Sequence, residues 1–468
     1  MVFSSPVFLF LFLPLCFICY AITNASKNVK ANNICLLVFS IVFYAYGSLS
    51  FLPILLASIV VNYFLSKCTD KAEDKKTRKA LLIISLIINI GLLFIYKYLN
   101  LFTGFFFDSE HATNIILPIG ISFYTFQVLS YLVDVYRKDV KSCDNIFDFA
   151  LFTMLFPQLI AGPIVRYSTI EKELKSRTTS IDSFSEGIKR FMVGFAKKIV
   201  FANALGRICD LAFNELGYYK MGTLLSIFVI ICYSMQIYLD FWAYSDMAIG
   251  IGKIFGFTFL ENFNNPFLST SISEFWTRWH ISLSSFFKDY VYIPLGGNKK
   301  GLLRTCINLT IVFALSGFWH GANFNFLFWG LYNALFLVIE RIIKVKTKFR
   351  VPPTIGIIYV FIVWNIGMIL FRLDSLNQVA LYLNGLFSSP LYNYSTRELL
   401  NIIFTPTFAI CFFVSVLYLT PLFDKIKYRL NHTKYGYIIV DTVIAFMFIY
   451  AVIEMLTSGF NPFLYFRF

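Results

Sequence analysis

Charged residues are scarce in this chain of 468 residues, making up 14% of it, whereas hydrophobic residues make up 58% and aromatic residues 19%. The mean hydropathy is +0.70. Soluble globular domains carry charge on about a quarter of their residues, so this composition excludes a soluble protein. It is typical of an α-helical protein that crosses a membrane many times.

Sequence motifs of the common catalytic sites are also missing. The chain has no P-loop, no dinucleotide-binding glycine fingerprint, no HExxH and no GxSxG. It has no internal repeat of the kind that marks the paired halves of a secondary transporter. Cys16 and Cys19 form a CxxC within an apolar segment that has no histidine nearby, so we expect no metal site there.

Long apolar segments are abundant and predict membrane-spanning helices, because unpaired backbone amides cannot persist in lipid. Eleven segments are long enough, or nearly so, to cross a hydrocarbon core of about 30 Å. We therefore predict an all-α polytopic protein with about 11 transmembrane helices, folded as one integral membrane unit over residues 1–468. The segments are 6–21, 33–48, 51–66, 80–97, 116–135, 222–241, 303–319, 323–340, 353–371, 404–421 and 437–455.

Basic residues account for the net charge of +14, and they gather in alternate loops. This alternation predicts that the basic loops are cytoplasmic and that both termini are extracytoplasmic. The later basic loops agree with this orientation only if residues 145–165 and 242–293 enter the membrane and return to the same side, or lie flat on its surface. Residues 1–21 lack a basic leader and a small-residue cleavage site, so we interpret them as an uncleaved first span.

Two stretches between the spans have a different character. The string FPQLIAGPIVRY (156–167) interrupts an apolar run with Pro157, Gly162 and Pro163, which predicts a broken or re-entrant helix. Residues 171–198 are amphipathic and predict a helix that lies on the cytoplasmic interface, with a solvated loop as the alternative. Its basic residues are Lys189, Arg190, Lys197 and Lys198.

Polar side chains concentrate in residues 236–330. Ser271 and Glu274 form a capping-box pattern that predicts a helix start, and Glu274 and Arg278 are spaced for an ion pair along that helix. Pro294 ends the helix, and the turn 296–298 leads to a basic loop that we expect at the cytoplasmic face. Two polar stripes follow from the helical spacing, one of Trp276, His280, Ser284 and Lys288, the other of Arg278, Ser285 and Asp289.

Only four histidines occur in the chain. His320 follows about thirteen apolar residues, which places it roughly 20 Å into the membrane from the cytoplasmic side. An ionisable residue at that depth indicates a functional site, although a buried histidine bonded to a carbonyl is the structural alternative. His280 either takes part in the chemistry or only shapes the cavity, and His111 and His432 lie in polar loops where we expect no role. An imidazole in a dry cavity can accept a hydroxyl proton, which suits acyl transfer from a thioester to an alcohol.

Five strings resemble the membrane-bound O-acyltransferase family over residues 116–340, with the terminal FLYFRF as a further match. The glycine turn in YIPLGGN makes the chain similar to the alginate O-acetyltransferase branch, which serves bacterial exopolysaccharides, and distinguishes it from the teichoic acid D-alanyl transfer proteins. The strings are FPQLIAGPIVRY, YLDFWAYSDMAIGIGKIFGF, NFNNPF, EFWTRWHISLSSFFKDYVYIPLGGNKKG and LSGFWHGANFNFLFWG.

The resemblance implies a ring of tilted helices around a central tunnel, with N-terminal helices in 1–115, a catalytic core in 116–340, and C-terminal helices and an aromatic tail in 341–468. It implies that His320 is catalytic and that His280 lies near the tunnel. It also implies a bacterial plasma-membrane location and no bound cofactor. The residues that we expect to line or support the tunnel are Ser245, Asp246, Asn265, Trp276, Arg278, Ser284, Lys288, Asp289 and Trp319.

Within this resemblance, an acyl group, most simply acetyl, passes from a cytoplasmic thioester to an extracytoplasmic acyltransferase partner that modifies a polysaccharide. The donor is acetyl-CoA or the phosphopantetheine of an acyl carrier. Three alternatives stay open from the residues alone: D-alanyl transfer to teichoic acid, transport of a polar substrate, and a structural subunit that anchors an external enzyme. The charges of residues 274–304 weigh against a mere anchor, because an anchor gains nothing from their desolvation cost.

Overall fold

The computed structural model describes residues 1–106, 113–160, 162–215, 221–347, 351–387 and 394–462. Within these ranges the regular structure is helical and contains no strand, which confirms the predicted all-α class. The chain divides into two compact units, one made of Met1–Phe191 with Ser245–Glu261 and the other of Met192–Tyr244 with Asn262–Phe468. The single membrane unit that we predict therefore stays a prediction, and His111 and the terminal FLYFRF lie outside the described residues.

The first ten α-helices cover the N-terminal part of the chain. Several begin at a side chain that accepts a hydrogen bond from a free backbone amide of the first turn, as Asn28 does for Lys30 and Ala31. The helices are α1 (Leu13–Ala25), α2 (Val29–Ser48), α3 (Leu52–Lys71), α4 (Lys75–Leu93), α5 (Leu99–Phe106), α6 (Ile121–Arg137), α7 (Ile146–Met154), α8 (Phe156–Leu159), α9 (Tyr167–Lys175) and α10 (Ile181–Ala196).

Twelve further α-helices follow within the described part of the chain, and a short π-helix, Lys197–Ala202, precedes them. They are α11 (Asn203–Asp210), α12 (Thr223–Ile254), α13 (Ile272–Arg278), α14 (Ile281–Phe287), α15 (Gly301–His320), α16 (Phe324–Lys346), α17 (Pro353–Arg372), α18 (Leu376–Gly385), α19 (Tyr394–Ile403), α20 (Pro406–Tyr418), α21 (Leu422–Asn431) and α22 (Gly436–Thr457).

Eight helices among the described residues are long and apolar enough to cross a membrane, or nine if a bent pair counts as one span. The predicted number was about 11, and three places explain the difference. Residues Val29–Lys71 form one helical stretch of 43 residues, about 65 Å long and therefore enough for two crossings. The backbone leaves the helical conformation within it, at Ser48. Helix α6 has 17 residues, and α20 and α21 meet at 81°.

The broken helix predicted at 156–167 is present in the first unit. Helix α8 has only four residues, Phe156–Leu159, and starts with Pro157 in its first turn. The chain from Pro163 to Arg166 is not helical. The segment 171–198, predicted as one interfacial helix, is instead divided between α9, α10 and the following π-helix. Lys197 and Lys198 at its end are each 3% exposed, so these two lysines do not lie on a solvent-facing side of an interfacial helix.

Helices α15 and α16 lie unusually close together because glycines stand where they cross. A Cβ on Gly317 would lie 2.2 Å from the carbonyl oxygen of Phe326, and a Cβ on Gly330 would lie 2.2 Å from that of Phe313. Small residues of this kind let two helix backbones approach within a membrane. The contact places the C-terminal end of α15, His320, beside the first turns of α16.

The predicted helix of residues 271–294 is broken in two. Its start at Ser271 is confirmed, since the Ser271 hydroxyl accepts from the Glu274 amide at 3.0 Å. The Glu274–Arg278 ion pair is also confirmed, at 2.6 Å. However, His280 adopts a left-handed conformation, with φ 44° and ψ 55°, between α13 and α14. The predicted stripe from Trp276 to Lys288 assumed a continuous helix, and it is therefore wrong.

The turn after this region is as the sequence predicts. Gly296 and Gly297 have φ values of 107° and 55°, which are accessible to glycine at little cost. The Asn308 side chain donates to the Gly297 carbonyl at 2.9 Å and so ties the turn to α15.

Candidate functional site

A cavity lies within the second unit, and both histidines of the polar middle line it. Its wall is otherwise aromatic and apolar, with one carboxylate, Asp240. Four helices and the α13–α14 connection contribute residues to it. The lining residues are Ile237, Asp240, Phe241, Trp279, His280, His320, Trp329, Trp364, Met368 and Phe371.

His320 is the last residue of α15 and is partly exposed. The rise of an α-helix puts it about 28 Å from Gly301 at the other end, close to the full thickness of a hydrocarbon core. Its ring meets Trp329 at 5.1 Å between centroids and Phe371 at 5.2 Å, both edge to face. Trp319 contacts both imidazoles, at 4.9 Å from His320 and 6.1 Å from His280.

His280 is 1% exposed, and its tautomer follows from its neighbours. The amide oxygen of Asn262 accepts from the backbone N–H of Ser282 at 3.2 Å and from the Ser282 hydroxyl at 2.9 Å. Nδ1 of His280 lies 3.2 Å from the same oxygen. An amide oxygen only accepts, so Nδ1 must carry the proton and Nε2 keeps its lone pair. No described residue forms a hydrogen bond with Nε2.

The environment of His280 keeps the ring neutral. The residue lies between α13 and α14, outside the candidate spans. Burial, with a contribution from the neighbouring His320, holds the pKa of His280 well below its usual range. A neutral imidazole with a fixed lone pair can accept a proton or a hydrogen bond from a hydroxyl group.

The one carboxylate in the wall is held by a buried ion pair. Lys198 Nζ lies 2.6 Å from Asp240 Oδ1, and the two side chains are 4% and 6% exposed. Lys198 also donates to the carbonyl oxygen of Pro462. The neighbouring Lys197 places its ammonium group 3.1 Å from the ring centroid of Trp242, a cation–π contact. Both lysines lie on the π-helix, which directs them toward residues 240 and 242 of α12.

Two of the residues predicted to support the tunnel, Ser245 and Asp246, belong to the first unit. Both are buried, at 1% and 5% exposure. Arg190 donates to Asp246 Oδ1 from Nε at 3.0 Å and from Nη2 at 2.9 Å. It also forms two hydrogen bonds to the carboxylate of Glu261. This group of charges ties α10 to residues 246–261 of the same unit.

The other predicted residues lie in the second unit but outside the set that lines the cavity. Arg278 pairs with Glu274, and the Ser284 hydroxyl donates to the Trp279 carbonyl at 3.3 Å. Asn265 has a positive φ of 46° and begins the short turn Pro266–Leu268. Lys288 is exposed and Asp289 partly exposed. Trp276 and Trp319 are buried beside the lining aromatics. A tunnel role for all of these stays a prediction.

Several lining residues were not selected from the sequence. Asp240 carried a usable signal, a carboxylate in an apolar span. Trp364, Met368 and Phe371 carried none, because they belong to α17 and only the fold brings them to the histidines. Among the described residues, no group of three or more His, Cys, Asp or Glu side chains could hold a metal ion.

The sequence of the chain matches known proteins over most of its length. The family model described as MBOAT, membrane-bound O-acyltransferase family, matches residues 141–380. The chain is 39% identical over 416 residues to the probable alginate O-acetylase AlgI of Pseudomonas aeruginosa, which covers 86% of this chain and 78% of the relative. It is 34% identical over 421 residues to the peptidoglycan O-acetyltransferase of Helicobacter pylori, at 82% and 80% coverage.

A more distant relative is the teichoic acid D-alanyltransferase of Bacillus subtilis, with 31% identity over 253 residues, 52% of this chain and 63% of the relative. The resemblance seen in the sequence strings is thus confirmed across most of the chain. The protein belongs to the membrane-bound O-acyltransferase family, and it is a multi-pass membrane acyltransferase.

Proposed function

We propose that the protein transfers an acetyl group from a cytoplasmic thioester donor across the membrane, for the O-acetylation of an extracellular polysaccharide. The observation that carries the proposal is the cavity with two imidazoles at the end of α15, because acyl transfer to a hydroxyl needs a base and a site protected from water. Family membership and the named O-acetylating relatives support the same reaction.

In the proposed step His320 is the general base. It takes the proton of the acceptor hydroxyl as that oxygen attacks the carbonyl carbon of the thioester. A tetrahedral centre forms, the C–S bond breaks, and the thiolate that leaves receives the proton from the imidazolium of His320. The aromatic rings around His320 keep water from hydrolysing the thioester.

His280 has a complementary part in the proposal. The attacking hydroxyl group donates its one proton to His320, so the Nε2 lone pair of His280, fixed by the Asn262 contact at Nδ1, accepts a hydrogen bond from a second hydroxyl group of the acceptor. It thereby orients the nucleophile. The residues predicted to support the tunnel keep that role as a proposal.

Donor and acceptor are proposed by chemical class. Acetyl-CoA or an acyl-carrier phosphopantetheine supplies the thioester, and the turn at Gly296 and Gly297 faces the cytoplasm, where that donor enters. Both termini are extracytoplasmic, as the basic loops predict, and an acetyltransferase partner on that side carries the group to the polymer. The names of the relatives favour an alginate-like polymer, with peptidoglycan next.

D-alanyl transfer to teichoic acid is the second candidate, and the Bacillus subtilis relative favours it. The two candidates differ in the donor, since D-alanine would arrive on a carrier protein. They share the cavity and the use of His320.

The test is acyl transfer in inverted membrane vesicles that contain the partner and the polymer, with radiolabelled acetyl-CoA added outside. We expect wild type to move label into the lumen and His320→Ala to move none. His432→Ala is the matched control, because the side chain of this exposed histidine hydrogen-bonds only to the nearby Tyr428 carbonyl among the described residues. It should transfer label at the wild-type rate.

Full activity of His320→Ala would exclude it as the base. Label transfer from carrier-bound D-alanine and none from acetyl-CoA would replace acetylation by D-alanyl transfer. Uptake of a polar solute without any covalent transfer would revive the transporter alternative.

A further inference from the structure

A charged pair stands at the wall of the cavity. Asp240 lines the cavity together with Ile237 and Phe241, its neighbours on the same turn of α12. The ring of Phe241 meets that of His280 at 4.5 Å, so this turn lies beside the two histidines. Lys198, which pairs with Asp240 at 2.6 Å, is not among the lining residues. The carboxylate therefore belongs to the wall, and its counter-charge comes from a residue behind the wall.

The ammonium group of Lys198 is held by more than the carboxylate. Its Nζ also donates to the carbonyl oxygen of Pro462. The same C-terminal segment is tied to α11, where the Asn203 amide donates to the carbonyl oxygen of Phe460 at 3.3 Å. Because the Lys198 side chain is only 4% exposed, it cannot leave Asp240 and gain water in exchange. The carboxylate is thus already paired before any substrate enters.

The rest of the wall offers no negative charge to a substrate. Apart from Asp240 and the two histidines, the lining residues are aromatic or apolar. In the proposed step His320 becomes an imidazolium when it takes the hydroxyl proton. A positive charge on the acyl group would lie in the same cavity as that imidazolium, where a low dielectric strengthens the repulsion between them. An uncharged acyl group avoids this cost.

We propose that the Lys198–Asp240 pair determines which acyl groups the site accepts. By neutralising the one carboxylate of the wall, Lys198 restricts transfer to uncharged groups such as acetyl and excludes aminoacyl groups, which carry an ammonium. This rests on the proposed function, because it assigns the acyl class that the same site transfers. The pair acts through its charges and needs no bond to the substrate. Selectivity of this kind is a difference between two transfer rates, so it is measured as a ratio.

The test compares two donors that differ in charge and hardly in size. Propionyl-CoA and glycyl-CoA have the same number of heavy atoms in the acyl group, and only glycyl carries an amino group. At about pH 6.5 an α-amino group is largely protonated. The kcat/KM for glycyl-CoA, divided by that for propionyl-CoA, gives the preference for a cationic acyl group, with acetyl-CoA as the reference donor. Because both donors are measured on one membrane preparation, a loss of folded protein cancels in the ratio.

Three variants change the charge of the wall in known directions. Lys198→Met leaves the carboxylate without its counter-charge, so we expect the glycyl-to-propionyl ratio to rise about 10-fold or more. Asp240→Asn leaves the ammonium group instead, so the ratio should fall below that of wild type. The double variant has neither charge and should return to within a few-fold of the wild-type ratio. The matched control is Lys434→Met, because this exposed lysine contacts Tyr435 and does not line the cavity; its ratio should equal that of wild type.

The outcomes separate this inference from the proposed function. If wild type transfers acetyl and the ratio is the same in Lys198→Met as in wild type, the pair does not set specificity and the proposed function stands. Equal transfer of glycyl and propionyl by wild type would also overturn the inference, since it would show that the aromatic faces attract the cation. Rejection of both donors by every variant would overturn it too, because size rather than charge would then decide. If wild type transfers glycyl and no acetyl, the proposed function and this inference fail together.

Discussion

The buried Lys198–Asp240 pair offers a quantitative test of how the cavity wall is held. Removing one partner leaves the other as an uncompensated buried charge, which typically costs 3–5 kcal/mol. The two side chains are 4% and 6% exposed, so water can do little to screen that charge. We therefore expect Lys198→Met and Asp240→Asn each to lower stability strongly. Replacing both with uncharged residues removes both desolvation costs, so the double variant should recover much of the loss.

The assay is thermal unfolding of purified protein in one detergent, with all four combinations compared. An unfolding entropy of about 2 cal/mol/K per residue makes 1 kcal/mol correspond to roughly 1 °C for a chain of this length. Each single variant should then melt about 3–5 °C lower, and the double variant should lie closer to wild type than the sum of the two. Additive shifts, or single shifts below about 1 °C, would refute the buried-pair reasoning. Acetyl transfer, measured in parallel, should fall in the single variants, because Asp240 lines the cavity.

Two further predictions follow from close contacts around the site. Gly317→Ala places a Cβ 2.2 Å from the carbonyl oxygen of Phe326, so overpacking should lower the free energy of unfolding by about 1–3 kcal/mol. Gly104→Ala is the control, because its Cβ meets nothing within 4 Å, and this variant should melt at or above the wild-type temperature. Equal melting temperatures for the two variants would contradict the close crossing of α15 and α16. Asn262→Ala removes the acceptor that fixes the His280 tautomer and should lower kcat about 10-fold or more. Asn262→Asp keeps an acceptor at this position and should recover part of the rate. An unchanged kcat in the alanine variant would show that the His280 tautomer does not matter for the reaction.

The helices could be predicted from the sequence because lipid leaves few alternatives. All eleven apolar segments are helical over most of their length. The number of separate spans could not be read from hydropathy alone. The break at Ser48 lies between two apolar runs of similar character, and the 81° bend between α20 and α21 depends on a short turn at residues 419–421. Such turns depend on backbone conformations that hydropathy does not encode.

The sequence was enough to predict the two histidines of the candidate site, but not most of the other residues that line the cavity. Rarity and an apolar setting were enough to select His320 and His280, and both line the cavity. The predicted stripe through His280 is wrong because the helix is not continuous at that residue. Trp364 could not have been selected either, since nothing in its local sequence distinguishes a cavity-lining tryptophan from any other aromatic residue in an apolar span.

The break in the helix at His280 explains why the lone pair of the imidazole lies on Nε2. A non-glycine residue in the left-handed region costs of the order of 1–3 kcal/mol and persists only where its surroundings hold it. Here the Asn262 carbonyl accepts from the Ile281 amide at 3.0 Å, while its side chain engages Ser282 and Nδ1 of His280. Asn262 therefore holds both the strained backbone and the ring. In a continuous helix the Ile281 amide would bond within the helix instead, so the break that ended the predicted stripe is what lets one asparagine fix the tautomer.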